Sequence, residues 1–305
     1  MSFSPAEAAL INAVPGISQR DSRELYPQAD GAGLPVLVIE NAQGRAVVAL
    51  QGAHLMSFVP AGGDDLLWLS PKLVLQAGEA VRGGIPLCMP WFGAHPEHDD
   101  LPKHGFARNE NWSVIEAAAN DDGSTRVVLE LRDNDASRAL WPHAFVYRLA
   151  ITVGSTLHLD LQAQHLGQEP QLHSFALHTY FAVPDVSKAV IHGLEGTEYI
   201  DTLPADKPRI AQEGELQLSG PTDRVYLDVP KVQTISTGKG KIVIESAETH
   251  CAVVWNPWEN AARIADIGAG NYVGYVCVER GDMWDYSPTL QPGDIYHVGM
   301  TLSAE

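Results

Sequence analysis

Residues 156–164 read TLHLDLQAQ. Leu157, Leu159, Leu161 and Ala163 occupy alternate positions, with His158, Asp160, Gln162 and Gln164 between them. Successive side chains of a strand point to opposite faces, so this segment is a strand with one apolar and one solvated face, as in an antiparallel sheet. The same strand character recurs in PVLVIEN (35–41), RAVVALQGAHLMSFV (45–59), TRVVLELR (125–132), FVYRLAITV (145–153), KIVIESA (241–247), HCAVVWNP (250–257), YVGYVCVE (272–279) and YHVGMTL (296–302). Twenty-seven glycines and twenty prolines punctuate these runs at short intervals. Many short strands separated by Gly/Pro turns predict an all-β sandwich or barrel, and the strand–helix alternation of a parallel sheet is missing.

Two helices are expected. Residues 4–14 carry Ser4 as N-cap, Pro5 at the first helical position and Glu7 to close a capping box. DASRALW (135–141) reads as a short helix stopped at Pro142. With no repeat, low-complexity tract or linker, residues 1–305 are expected to form one domain.

Composition narrows the function. Hydrophobic residues make up 45% of the 305 residues, enough for a substantial core. Thirty-eight acidic against twenty basic residues give a net charge of −18, which argues against nucleic acid and anionic membranes as partners. The same field would repel an anionic small substrate unless arginines or lysines gather locally. Cys88, Cys251 and Cys277 show no metal-like spacing and read as reduced thiols. No apolar run approaches the ~18 residues of a membrane span, and the N-terminus, which carries Glu7, is a poor signal peptide. A cytoplasmic protein, monomeric, is expected.

Three segments break the strand rhythm: VRGGIPLCMPWFGAH (81–95), LPKHGFARNENW (101–112) and VVWNPWENAARIADIG (253–268). Turn chemistry explains their Gly and Pro but not their Arg and Trp. Arg82 precedes Gly83-Gly84, where backbone can approach a ligand and a guanidinium can grip a carboxylate or phosphate; a surface arginine at a turn reads the same way. Lys103, His104 and Arg108 bring three potential cations within six positions. If the two loops meet, Arg82, Lys103 and Arg108 form the local positive site that the net charge demands.

SFALHTYFAV (174–183) places His178 in an apolar run. As a strand it sets Phe175, Leu177, Thr179 and Phe181 on one face, and Ala176, His178 and Tyr180 on the other. His178 is either a hydrogen-bonded core histidine or a site residue. Glu279 ends YVGYVCVERG and shares a face with Tyr275 and Cys277. It is either a desolvated general base or the point where the strand reaches solvent, with Arg280 and Gly281 opening a turn. Asp201, in EYIDTL, is placed to bind a sugar hydroxyl or to cap a turn. Trp91, Trp255, Trp258 and Trp284 are platforms for sugar faces or core residues. There is no P-loop, no G-x-G-x-x-G after a strand, no H-E-x-x-H and no G-x-S-x-G. The histidines are scattered, so no metal site is recognisable, though ligands drawn from distant strands leave no trace in spacing.

Taken in order, RGGIP, MPWFG, HGFARN, LHTYF, a Tyr-x-Asp, WNPW and VCVE resemble the aldose 1-epimerase superfamily over roughly residues 35–300, and its hexose-6-phosphate mutarotase branch most closely. The resemblance implies a large antiparallel β-supersandwich of the galactose mutarotase type. It implies interconversion of the α and β anomers of an aldohexose 6-phosphate, glucose 6-phosphate foremost, without cofactor or metal. By motif, His178 and Glu279 match the catalytic histidine and glutamate, Arg82 and Arg108 the arginines that hold phosphate, and Asp201 a carboxylate that binds hydroxyls. His104 resembles a second site histidine of the wider superfamily, and Lys103 stands where glutamine is common. Other anionic sugars, neutral aldoses and a non-catalytic carbohydrate-binding role are the alternative readings. In the expected chemistry Glu279 takes the C1 hydroxyl proton and a protonated His178 donates to the ring oxygen, the carboxylate keeping the imidazole charged.

Overall fold

The computed structural model describes residues 3–95 and 97–305. Two large antiparallel sheets dominate it. One has nine strands, in the order 216–217, 190–192, 232–236, 241–245, 295–304, 157–165, 145–153, 125–132, 113–119. The other has eight: 209–211, 198–201, 222–227, 251–256, 275–282, 175–177 and 87–88, with 180–182 also paired to 275–282. A four-stranded N-terminal sheet (17–21, 35–40, 44–49, 54–60) and a two-stranded ladder (171–172 with 289–290) complete the architecture.

The alternating strand spans Leu157–His165, and its Leu157, Leu159, Leu161 and Ala163 are buried in the main core. That core also takes Phe175, Leu177, Phe181, Val254, Val276 and Val278 from the eight-stranded sheet, so it lies between the two large sheets. Alternation along a strand sends every second side chain of the eight-stranded sheet the other way. On that outer face Cys88, Ala176, Val225 and Val253 form one apolar cluster, and Tyr180, Tyr275 and Cys277 another.

The N-terminal helix spans Pro5–Asn12, with the Ser4–Glu7 capping box in place. A second helix spans Asp135–Leu140 and is capped by Asn134. It ends at Trp141, whose extended backbone suits the residue before Pro142. A further one-turn helix spans Ser22–Leu25, opened by a capping box between Asp21 and Glu24. No helix among the described residues is long and apolar enough to cross a membrane.

The strand from Tyr275 runs on to Asp282, and all eight of its residues are buried. Glu279 is therefore not where the chain reaches solvent. Arg280, read as a turn opener, is fully buried. Its guanidinium donates to Thr249 Oγ1 (2.9 Å), Pro230 O (3.0 Å), Thr249 O (2.9 Å), Ser246 O (3.4 Å) and the Gln233 side-chain oxygen. Neutral acceptors alone satisfy this buried cation, and burial pushes its pKa down to about 10.

Candidate active site

Strand register assembles the site. Leu177 pairs with Arg280 and Tyr180 with Cys277, so the intervening His178 falls opposite Glu279. Glu279 pairs with Val253 on its other side, and Val253 with Val225. One row across the sheet thus reads Val225, Val253, Glu279, His178. The adjacent row on the same face reads Asp223, Trp255, Cys277, Tyr180. Val225, Val253, Glu279 and His178 of the first row and Asp223 and Trp255 of the second line a cavity of ~510 Å³, with Arg82, Phe92, Lys103, His104, Thr202, Lys207 and Trp284 completing its wall, while Cys277 and Tyr180 lie outside the lining. The volume suits a small-molecule ligand.

His178 is held from several directions. The ladder breaks at His178–Thr179, where Thr179 N–H bonds back to Leu177 O (2.8 Å) and His178 N–H bonds to Pro86 O (3.0 Å). The imidazole stacks on Tyr180, with ring planes within 3° and centroids 4.9 Å apart, and meets the edge of Trp255 at 6.1 Å. Its Nδ1 lies 3.2 Å from Glu279 Oε1, but off the line a hydrogen bond requires; Nδ1 and Glu279 Oε2 are buried without a hydrogen-bond partner.

The shifts of this pair run against the ionisation expected of it. Burial pushes the His178 pKa well below the usual imidazole range, and the charges of His104, Arg108 and Arg82 add to the effect. Burial pushes Glu279 well above the carboxylate range, Asp223 raises it further and Arg108 opposes. Desolvation is the largest cause of both shifts, and in each group it favours the uncharged form.

Arg82 reaches the cavity, but part of its donor set is already committed. Nε donates to Asp266 Oδ2 (2.9 Å) and Nη1 to the Tyr180 hydroxyl (2.9 Å), so it braces the ring on which His178 stacks. The glycines after it serve packing. A Cβ at Gly83 would stand 2.3 Å from Trp68 O, and one at Gly84 2.2 Å from Leu55 O, both with positive φ.

His104 and Lys103 line the cavity, and Arg108 does not. Arg108 Nη2 donates to Lys103 O (2.8 Å), which makes it a brace for the loop that presents Lys103 and His104. His104 sits at φ 67°, and its Nδ1 accepts from Gly93 N–H (3.3 Å). Burial, with Arg108, Lys103 and Arg82 nearby, pushes its pKa down to about 3. A neutral ring that accepts at Nδ1 carries its proton on Nε2 and is a donor there.

Asp201 is a correction. It pairs with Arg224, not Asp223, so it belongs to the opposite face of the sheet, and its Oδ1 accepts from Leu203 N–H (3.1 Å). The turn-capping alternative describes it. Asp223 lines the cavity instead, with its pKa raised by burial. Thr202 and Lys207, also missed, come from the loop after Asp201; Thr202 N–H and Oγ1 both bond to Asp223 O (2.9 and 3.1 Å). Of the four tryptophans weighed, Trp255 and Trp284 line the cavity, while Trp91 is buried core and Trp258 packs against it.

This assembly has known relatives. The sequence pattern of the aldose 1-epimerase family matches residues 35–303. The chain belongs to the aldose 1-epimerase family. Within and around it, the chain is 35% identical over 286 residues to a protein of Cenchrus ciliaris provisionally named glucose-6-phosphate 1-epimerase, covering 90% of this chain and 85% of that one. An Escherichia coli K12 protein of the same provisional name is 35% identical over 249 residues, 81% of this chain and 82% of its own. The solved structure of YeaD from Salmonella typhimurium, provisionally titled a mutarotase, superposes with a TM-score of 0.85 at 30% identity, covering 95% and 94% of the two chains. The all-β supersandwich is thus the fold of this aldose 1-epimerase family member.

Proposed function

We propose that the protein interconverts the α and β anomers of an aldohexose 6-phosphate, glucose 6-phosphate foremost, by acid–base opening and reclosure of the ring. The observation that carries this is the His178–Glu279 pair, 3.2 Å apart on the floor of a cavity rimmed by Arg82, Lys103 and Lys207. The names of the relatives point to the same substrate.

In this reading Glu279 faces the C1 hydroxyl and His178 the ring oxygen. Opening takes the hydroxyl proton to Glu279 and passes the imidazole proton to the ring oxygen as the C1–O5 bond breaks. An ion pair is consumed, and a neutral imidazole and a carboxylic acid result. C1 turns about C1–C2, and the C5 hydroxyl then attacks the other face of the aldehyde with both protons returned. Burial that disfavours the ion pair therefore favours opening. A phosphate dianion among the cations offsets the positive charge that depresses His178, and so helps restore the imidazolium for the next cycle. Lys103, Lys207 and the uncommitted edge of Arg82 take the phosphate, with Arg108 steadying Lys103. His104 Nε2 and Asp223 bind sugar hydroxyls, and Trp255 and Trp284 offer apolar faces.

NMR exchange spectroscopy of anomer interconversion across a panel of hexoses and hexose 6-phosphates tests the reading. Exchange well above the uncatalysed rate for glucose 6-phosphate, and weaker for glucose, is the expected result. No acceleration of any sugar, with binding retained, would leave a carbohydrate-binding protein.

A further inference from the structure

Cys277 has no part in the acid–base chemistry, yet it sits directly beneath it. It lies two residues before Glu279 on the same face of one strand, and its register neighbour is Tyr180, on which His178 stacks. One ligand atom each from His178, Cys277 and Glu279 falls within 4.8 Å of the others, and all three residues are buried. An imidazole nitrogen, a sulfur and a carboxylate oxygen form a donor set suited to zinc.

We propose that His178, Cys277 and Glu279 form a three-ligand site for zinc or a similar soft divalent cation, whose occupation sequesters the acid–base pair and stops turnover. Tetrahedral zinc, with bonds of about 2.0–2.3 Å, needs its ligands roughly 3.5 Å apart, so the trio closes by small side-chain movements. Two of the prospective donors, His178 Nδ1 and Glu279 Oε2, are buried with no hydrogen-bond partner, so these atoms give up no hydrogen bond on coordination. His178 and Glu279 line the cavity, so a fourth ligand, water or an anion, would come from there.

Arg82, Arg108 and Lys103 would repel a bare dication. Charge balance removes that objection. The thiol of Cys277 and the carboxyl of Glu279 each release a proton as the ion binds, so two positive charges enter and two leave. The product is a neutral imidazole, a thiolate and a carboxylate around the metal, and the surrounding cations see no net change. Cys277, in the register row next to Glu279 and His178, thus gives the pair an affinity that the anomerisation chemistry does not use.

Binding is independent of the proposed function; inhibition rests on it. The whole chain, treated with chelator, would be titrated with cobalt(II) and with zinc in competition with a chromophoric chelator. The expected results are a thiolate-to-cobalt charge-transfer band in the near ultraviolet and saturation at one ion per chain. In Cys277→Ser, and in Cys277→Ala should the serine fail to fold by circular dichroism, the band disappears and zinc binds at least tenfold more weakly. Cys88→Ser retains both signals. Absence of the band in the native chain, or its persistence in both Cys277 variants, would overturn the site. In the anomerisation assay the native protein is inhibited by zinc while Cys277→Ser keeps its turnover and resists the metal. A chain shown by its cobalt spectrum to be loaded through Cys277, yet turning over at the full rate, supports the metal site and refutes His178 and Glu279 as the acid–base pair.

Discussion

His178 and Glu279 face each other across two antiparallel segments, Nδ1 to Oε1 3.2 Å, although a hundred residues separate them in sequence. Neither side chain is free to wander. Tyr180 supports the imidazole from below, and Glu279 is buried within a strand whose eight residues are all buried.

Lys103 and Arg108 separate by role. Lys103→Ala removes a cation from the cavity rim, so KM for glucose 6-phosphate rises about tenfold, the loss of roughly 1.4 kcal/mol from a charge-assisted contact. Glucose is unaffected. Arg108→Ala releases the loop held at Lys103 O, and with it His104, so both substrates suffer. Steady-state kinetics on the two sugars check the split; an Arg108 variant impaired only on the phosphorylated sugar would make it a direct phosphate ligand.

Asp223 and Asp201 lie on opposite faces of the sheet, so their amide variants behave differently. Asp223→Asn weakens hydroxyl recognition by roughly 10–100-fold in kcat/KM, the range for a hydrogen bond to a charged group. Asp201→Asn stays within about twofold, because its carboxylate caps a turn outside the cavity. Comparable losses in both would restore Asp201 to the site.

Acid stability depends on His54. Its Nε2 donates to Gly83 O (2.8 Å) from a fully buried position, and burial pushes its pKa down from 6.5 to about 4. Between those values the unfolded chain binds a proton that the folded chain does not. The stability present above pH 6.5 is therefore lost as pH falls, at about 1.4 kcal/mol per pH unit. Urea unfolding at several pH values should show a slope shallower by one proton in His54→Gln than in the native chain; identical slopes would mean that His54 is not neutral in the fold.

Arg280 carries a purely structural prediction. Arg280→Ala removes the guanidinium from five acceptors, four of them on the buried residues Gln233, Ser246 and Thr249. It should cost about 3 kcal/mol or more, read as a lowered denaturation midpoint. A change under 1 kcal/mol would show that water replaces the guanidinium.

Alternation made the strand at 157–165 legible at once, because a two-residue period allows one reading when one face is buried. His178 and Glu279 were visible as residues and as motifs, and strand pairing supplies what the motifs lacked, their register. Other features depend on facts no single segment holds. Asp201 and Asp223 both sit in strand-like runs, and only the pairing of Asp201 with Arg224 tells which carboxylate faces the cavity. Arg82 looked free because its partner, Asp266, lies far along the chain. Attraction between His178 and Glu279 can be read from residue types, whereas the desolvation that opposes it requires knowing how deeply each is buried.

The central claim is that His178 and Glu279 act as one acid–base unit. Its most direct test is NMR exchange between the anomers of glucose 6-phosphate in the native chain, His178→Gln, Glu279→Gln and the double variant, with sugar phosphate binding measured alongside. Each single variant should lose at least ~10²-fold in exchange rate while still binding, and the double variant should lose little more than either alone. Native-rate exchange in either single variant would contradict the account.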